Sequence, residues 1–71
     1  MRRARLAELP EPDERRRIRK EAGARVEDLA DIIGVHPWTV LRWETGKNKP
    51  RLEDRLAYAK VLRQLERAIS R

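Results

Sequence analysis

The chain contains no cysteine, so neither a disulfide nor a thiolate-bound metal can hold it together. Its single histidine cannot complete a metal site alone. No apolar run approaches the ~20 residues that a membrane-spanning helix needs. No apolar segment follows the basic Met1–Leu6 stretch that would make it a signal peptide, so a soluble cytoplasmic protein is expected. There is no strand pattern and no internal repeat. A nucleophile–base pair, a carboxylate dyad and a phosphate-cradling glycine loop are all missing, so no enzyme, cofactor or metal is expected. With 71 residues there is room for one small domain and none for a cleft between two lobes.

Charge is what the chain has in quantity. Charged residues make up 42% and hydrophobic ones 39%, with 18 Lys and Arg against 12 Asp and Glu for a net charge of +6. The core must therefore be small, and the balance suits a polyanionic partner. Solvated arginine faces reach similar totals, so charge alone does not decide the matter.

Residues 1–12 form a basic segment broken by Pro10-Glu11-Pro12. It reads as a frayed tail, as an arm following a polyanion, or as a docked segment whose Leu6 and Leu9 cover a gap in the core. The folded domain is expected over residues 13–71. Pro12 or Asp13 opens a first helix, with Asp13 and Glu14 at the positive end of its dipole, and Gly23 stops it. Its apolar stripe is only Ile18 and Ala22. A second helix over Val26–Ile33 places Val26, Leu29, Ala30 and Ile33 on one face and Glu27, Asp28 and Asp31 opposite. Arg25 stands where a capping Ser, Thr or Asp is usual, so that start looks poorly capped.

Gly34 leads into a third helix over residues 37–45, with His36 as N-cap, Pro37 at its first position and Gly46 just past its end. Val40 and Trp43 face inward, while Trp38, Thr39, Leu41, Arg42 and Thr45 spread over the outer faces. After the basic loop Lys47-Asn48-Lys49-Pro50 comes a last helix with Leu52, Leu56, Ala59, Leu62, Leu65 and Ile69 at spacings of three or four. The expected architecture is all-α, with four helices and a short N-terminal fifth left open.

Helix, glycine turn and helix at this spacing make a helix-turn-helix. The run Leu29-Ala30-Asp31-Ile32-Ile33-Gly34-Val35, then Thr39-Val40-x-Arg42-Trp43-Glu44-x-Gly46 and Pro50-x-Leu52, resembles the Cro/phage-repressor (XRE-type) family over about Ile18 to Leu62. The physics fits: Ala30 lets the second and third helices approach, and Gly34 takes a positive φ at no steric cost. The resemblance implies a compact lambda-repressor-like fold whose third helix enters the major groove of double-stranded DNA.

Carried over by position, the resemblance makes Pro37, Trp38, Thr39 and Arg42 the base-contacting candidates. The Arg42 fork suits guanine O6 and N7; a phosphate contact is its alternative. Trp38 is read either as meeting a thymine methyl or a sugar, or as packing beside the second helix. Leu41 stands where the family usually has a polar residue, so it flanks the groove or meets a partner. Thr45, Lys47, Asn48, Lys49 and Arg51 match the backbone-contacting loop. His36 is a cap that can also donate to phosphate. Arg25 stands beside Val26, which replaces a phosphate-binding glutamine, and can substitute for it. The family also implies an Arg19–Glu44 ion pair.

The function implied is a transcriptional regulator, a phage- or plasmid-type repressor or Cro-like protein in a bacterial or phage-infected cell. The alternatives are an excisionase-like architectural factor and an antitoxin or protein-interaction module on the same fold. Leu62, Leu65 and Ile69 suggest a homodimer seam on the C-terminal helix or a fold-back onto Leu6 and Leu9. Dimerisation on DNA is a further route.

Overall fold

A computed structural model describes residues 7–70, which contain four helices and no strand. These are α1 (Pro12–Glu21), α2 (Val26–Ile33), α3 (Pro37–Glu44) and α4 (Leu52–Ser70). Among the described residues no helix is long and apolar enough to cross a membrane. Leu6 and the arginines before it, on which the arm and the short fifth helix would rest, lie outside the described residues. Leu9 is described, and it packs half-buried against the core.

Local chemistry accounts for each boundary. Pro12 occupies the start of α1, Asp13 and Glu14 sit in its first turn and Arg19 and Lys20 in its last, the favourable order for the helix dipole. Arg17 bridges Glu14 and Glu21 on the exposed face. α2 is better capped than its sequence suggests. Arginine has no acceptor, but the Asp28 carboxylate reaches back to accept the Arg25 backbone N–H at 2.8 Å. That is half of a capping box, supplied from the third helical position. Gly34 ends α2 at φ 89°, a left-handed geometry that lets its N–H and that of Val35 both reach the Ala30 carbonyl at 2.8 and 3.0 Å.

The core consists of Ile18, Leu29, Ala30, Val40, Trp43, Tyr58, Val61 and Leu62, with Leu9, Ala24, Val26, Ile33, Val35 and Leu65 packed around it. α1 gives this core one fully buried apolar side chain, Ile18, so Leu9 supplies cover that α1 lacks. In α4 the buried face is Tyr58, Ala59, Val61 and Leu62, whereas Leu52 and Leu56 are 60% and 40% exposed. At ~100° per residue, Leu52 and Leu56 lie more than about 100° around the helix from Tyr58. The expected leucine stripe is thus two stripes, and only the second faces the core. Leu62 is buried and Leu65 packs on the same core, leaving Ile69 as the exposed member of the residues considered for a dimer seam.

Trp43 and Tyr58 stack with ring centroids 5.2 Å apart, and the Arg15 guanidinium carbon lies 5.5 Å from the Tyr58 centroid. Arg15 is thus the polar neighbour of the buried Tyr58 hydroxyl, which has no hydrogen bond of ordinary geometry among the described residues. Burial pushes the Tyr58 phenol above its ordinary range, with the interaction with Arg15 opposing it.

Candidate nucleic-acid interface

α3 is held from its inner side and its C-terminal end. Val40 and Trp43 are buried, and so is Glu44. Arg19 Nε donates to Glu44 Oε2 at 2.6 Å and Nη2 to Oε1 at 3.0 Å, a bidentate fork whose planar geometry lysine cannot reproduce. The third nitrogen, Nη1, donates to the Ala24 carbonyl at 3.1 Å. One buried arginine therefore ties the end of α1, the turn into α2 and the end of α3 together. The hydrogen bond to Glu44 raises the Arg19 pKa, against the opposing effect of burial.

Arg15, which the sequence reading did not single out, adds a second tie. Its Nε donates to the Pro10 carbonyl at 2.8 Å and its Nη1 to the Trp43 carbonyl at 3.4 Å. The signal available in sequence was its position four residues before Arg19, on the same face of α1.

The opposite side of α3 is open. His36 Nδ1 accepts the Trp38 backbone N–H at 3.0 Å, so the N-cap is the histidine itself, through a ring nitrogen. Trp38 is 59% exposed and Leu41 38%, so both present apolar surface to solvent. Pro37, Thr39 and Arg42 are half-buried and Thr45 is exposed. α3 ends at Glu44, one residue earlier than expected, with Thr45 as its C-cap and Gly46 at φ 77°.

The turn after α3 is built on Arg42. Its carbonyl accepts from Thr45 Oγ1 at 3.1 Å, from the Lys47 N–H at 3.0 Å and from the Asn48 N–H at 3.4 Å. The Asn48 side chain has one orientation that satisfies both ends of its amide. In it the oxygen accepts from Arg42 Nε at 3.1 Å and the nitrogen donates to the Lys47 carbonyl at 2.8 Å. Lys47, Lys49 and Arg51 are exposed, while Pro50 is buried and fixes the exit of the loop.

An open cavity of about 510 Å3 is lined by Val35, Thr39, Trp43, Lys47, Asn48, Lys49, Pro50, Arg51 and Asp54. It brings Thr39 of α3 together with the expected backbone-contacting residues Lys47, Asn48, Lys49 and Arg51. Arg25 is not among its walls; it stands exposed at the start of α2 with its Nη2 3.7 Å from Asp28 Oδ1. Chemically this surface offers cations, amide and hydroxyl donors and an apolar ring, the equipment for phosphate and base edges.

The family model described as helix-turn-helix matches residues 16–68, well over half of the chain. No curated protein and no solved structure matches it. The four-helix order, the glycine turn between α2 and α3 and this match agree: the chain belongs to the Cro/C1-type helix-turn-helix family of DNA-binding domains.

Proposed function

We propose that the protein is a sequence-specific double-stranded DNA-binding regulator of the repressor or Cro-like kind, with α3 in the major groove. In this reading Arg42, Trp38, Thr39 and Pro37 meet base edges. Thr45, Lys47, Lys49 and Arg51 meet phosphates on one flank, and His36 and Arg25 on the other. The observation that carries it is the two-sided character of α3. Its inner side is immobilised by buried Val40, Trp43 and the Arg19–Glu44 fork, while its outer side presents an exposed indole and an arginine beside a lysine-rich loop. A helix held rigidly at its back can read a groove with the sub-ångström tolerance that base contacts need.

Selection of binding sites from a random duplex library tests this. A recovered consensus whose affinity falls steeply with salt supports a regulator; equal affinity for all duplexes removes the reading. Inverted half-sites about one helical turn apart would add a homodimer on DNA. In that case Leu52 and Leu56, the exposed apolar pair on α4, are the first residues to test, and loss of paired-site binding in Leu56→Glu is the expected result.

A further inference from the structure

Asn48 belongs to the loop whose other members suit phosphate contacts, but its side chain is already engaged. In the orientation that satisfies its amide, the oxygen accepts from Arg42 Nε at 3.1 Å and the nitrogen donates to the Lys47 carbonyl at 2.8 Å. The backbone of the same turn grips Arg42 from the other end, through the Lys47 and Asn48 N–H groups and the Thr45 hydroxyl on the Arg42 carbonyl. Both ends of one residue are thus held by three residues of the turn, Thr45, Lys47 and Asn48.

We infer that Asn48 is a positioning residue for Arg42, setting its guanidinium for end-on reading of a guanine, and is not itself a phosphate contact. The inference rests on the base-reading role of α3 proposed above. Its logic follows from the donors of arginine. The guanidinium has five N–H donors in a fixed plane, and occupying Nε leaves the Nη1 and Nη2 pair as the outward edge. That edge is a two-donor fork, matched to the two acceptors of guanine, O6 and N7. A free arginine would instead sample several rotamers and lose that entropy on binding. An asparagine wedged between Nε and a carbonyl of its own loop removes part of this loss beforehand. The Asn48 carbonyl oxygen and one of its two N–H donors are spent in doing so.

The test is made on the intact chain with duplexes selected by the wild-type protein. Arg42→Ala identifies the base pair it reads, as the one position at which preference flattens. Asn48→Ala is expected to lower discrimination at that same position by about 5- to 10-fold, the size of one typical net hydrogen bond, while affinity for non-specific duplex and the salt slope stay as in wild type. In the Arg42→Ala background Asn48→Ala should have no further effect on discrimination. Asn48→Asp keeps the acceptor toward Nε, so it should retain the preference even though its added charge weakens binding to all sequences. A uniform loss across sequences in Asn48→Ala, with preference at that position intact, overturns the inference and makes Asn48 a backbone contact. Absence of any preference in the wild-type protein overturns the reading of α3, and the inference with it.

Discussion

α2 and α3 are each eight residues long, lie against each other and join through Gly34, yet they are finished in opposite ways. α2 carries Glu27 and Asp28 in its first turn, and Asp28 also closes its N-terminus by taking the Arg25 N–H. Its positive dipole end is neutralised by its own carboxylates. α3 has no acidic residue in its first turn, is capped by an imidazole nitrogen in place of a carboxylate, and its one carboxylate, Glu44, is consumed by Arg19 inside the fold. The carboxylates of this pair thus lie on α2, and the N-terminus of α3 is left without one. On the proposed reading, where carboxylates are spent orients the domain on DNA as much as where cations stand.

The largest expected effect tests what holds α3 at its back. The Arg19 side chain is 10% exposed and that of Glu44 1%, so Glu44→Ala strands a buried guanidinium. Such a loss costs about 3–5 kcal/mol, a large share of the ~5–15 kcal/mol total of a small domain. Urea denaturation should show it, and a double-mutant cycle with Arg19→Ala should show strong coupling. A destabilisation under about 1 kcal/mol would mean that α3 is held by Val40 and Trp43 alone. No comparable loss is expected from removing the exposed Arg17 bridge on α1, where water screens the charges.

The next experiment erases the contrast between the helices. Trp38→Glu gives α3 the acidic first turn of α2. Fold stability should hold or rise by about 0.3–1 kcal/mol, because the charge suits the helix dipole. Duplex affinity should fall by at least about tenfold for every sequence, since a carboxylate would face the phosphates and bases. Opposite signs in thermal unfolding and DNA binding are the diagnostic. If both measurements stay level, the N-terminus of α3 is not at the interface.

Much of this contrast is readable without coordinates, and the part that is not has physical reasons. The limits of α2 and α3 follow from Gly34, Pro37 and Gly46, because positive φ and a fixed proline φ are local properties. Val40 and Trp43 follow from helical spacing, and both are buried. The face of α4 was not readable, since two apolar stripes overlap on one helix and only packing chooses between them. Tyr58 was overlooked because a hydroxyl-bearing ring does not advertise itself as the centre of a core, although it is fully buried. The start of α2 has no capping side chain at Arg25 itself, and the acceptor comes from Asp28 three residues on. The engagement of Asn48 with Arg42 depends on the path of a turn that composition does not reveal.

A smaller effect separates the loop from the helix. Lys49→Ala removes one exposed cation that lines the same cavity as Thr39. It should lower affinity equally for preferred and random duplexes and reduce the slope of log K against log salt by about 0.9. Arg42→Ala should instead cost about 1–3 kcal/mol in discrimination at one base pair. If the two variants behave alike, the division of the surface into a reading helix and a positioning loop fails.

The finest effect concerns the caps themselves. Asp28→Ala and His36→Ala each remove one acceptor from a helix N-terminus, and each should cost about 1 kcal/mol in chemical denaturation. Their consequences for DNA should differ, because the two caps sit on helices with different exposure to the polyanion. Asp28→Ala uncovers the positive end of α2, so it should leave duplex affinity level or raise it slightly. His36→Asp replaces one acceptor with a stronger one, so it should stabilise the fold, but its charge sits at the first turn of the reading helix and should weaken binding. Gains in both stability and affinity for His36→Asp would show that the imidazole is turned away from the nucleic acid, and that the open N-terminus of α3 plays no part in orienting it.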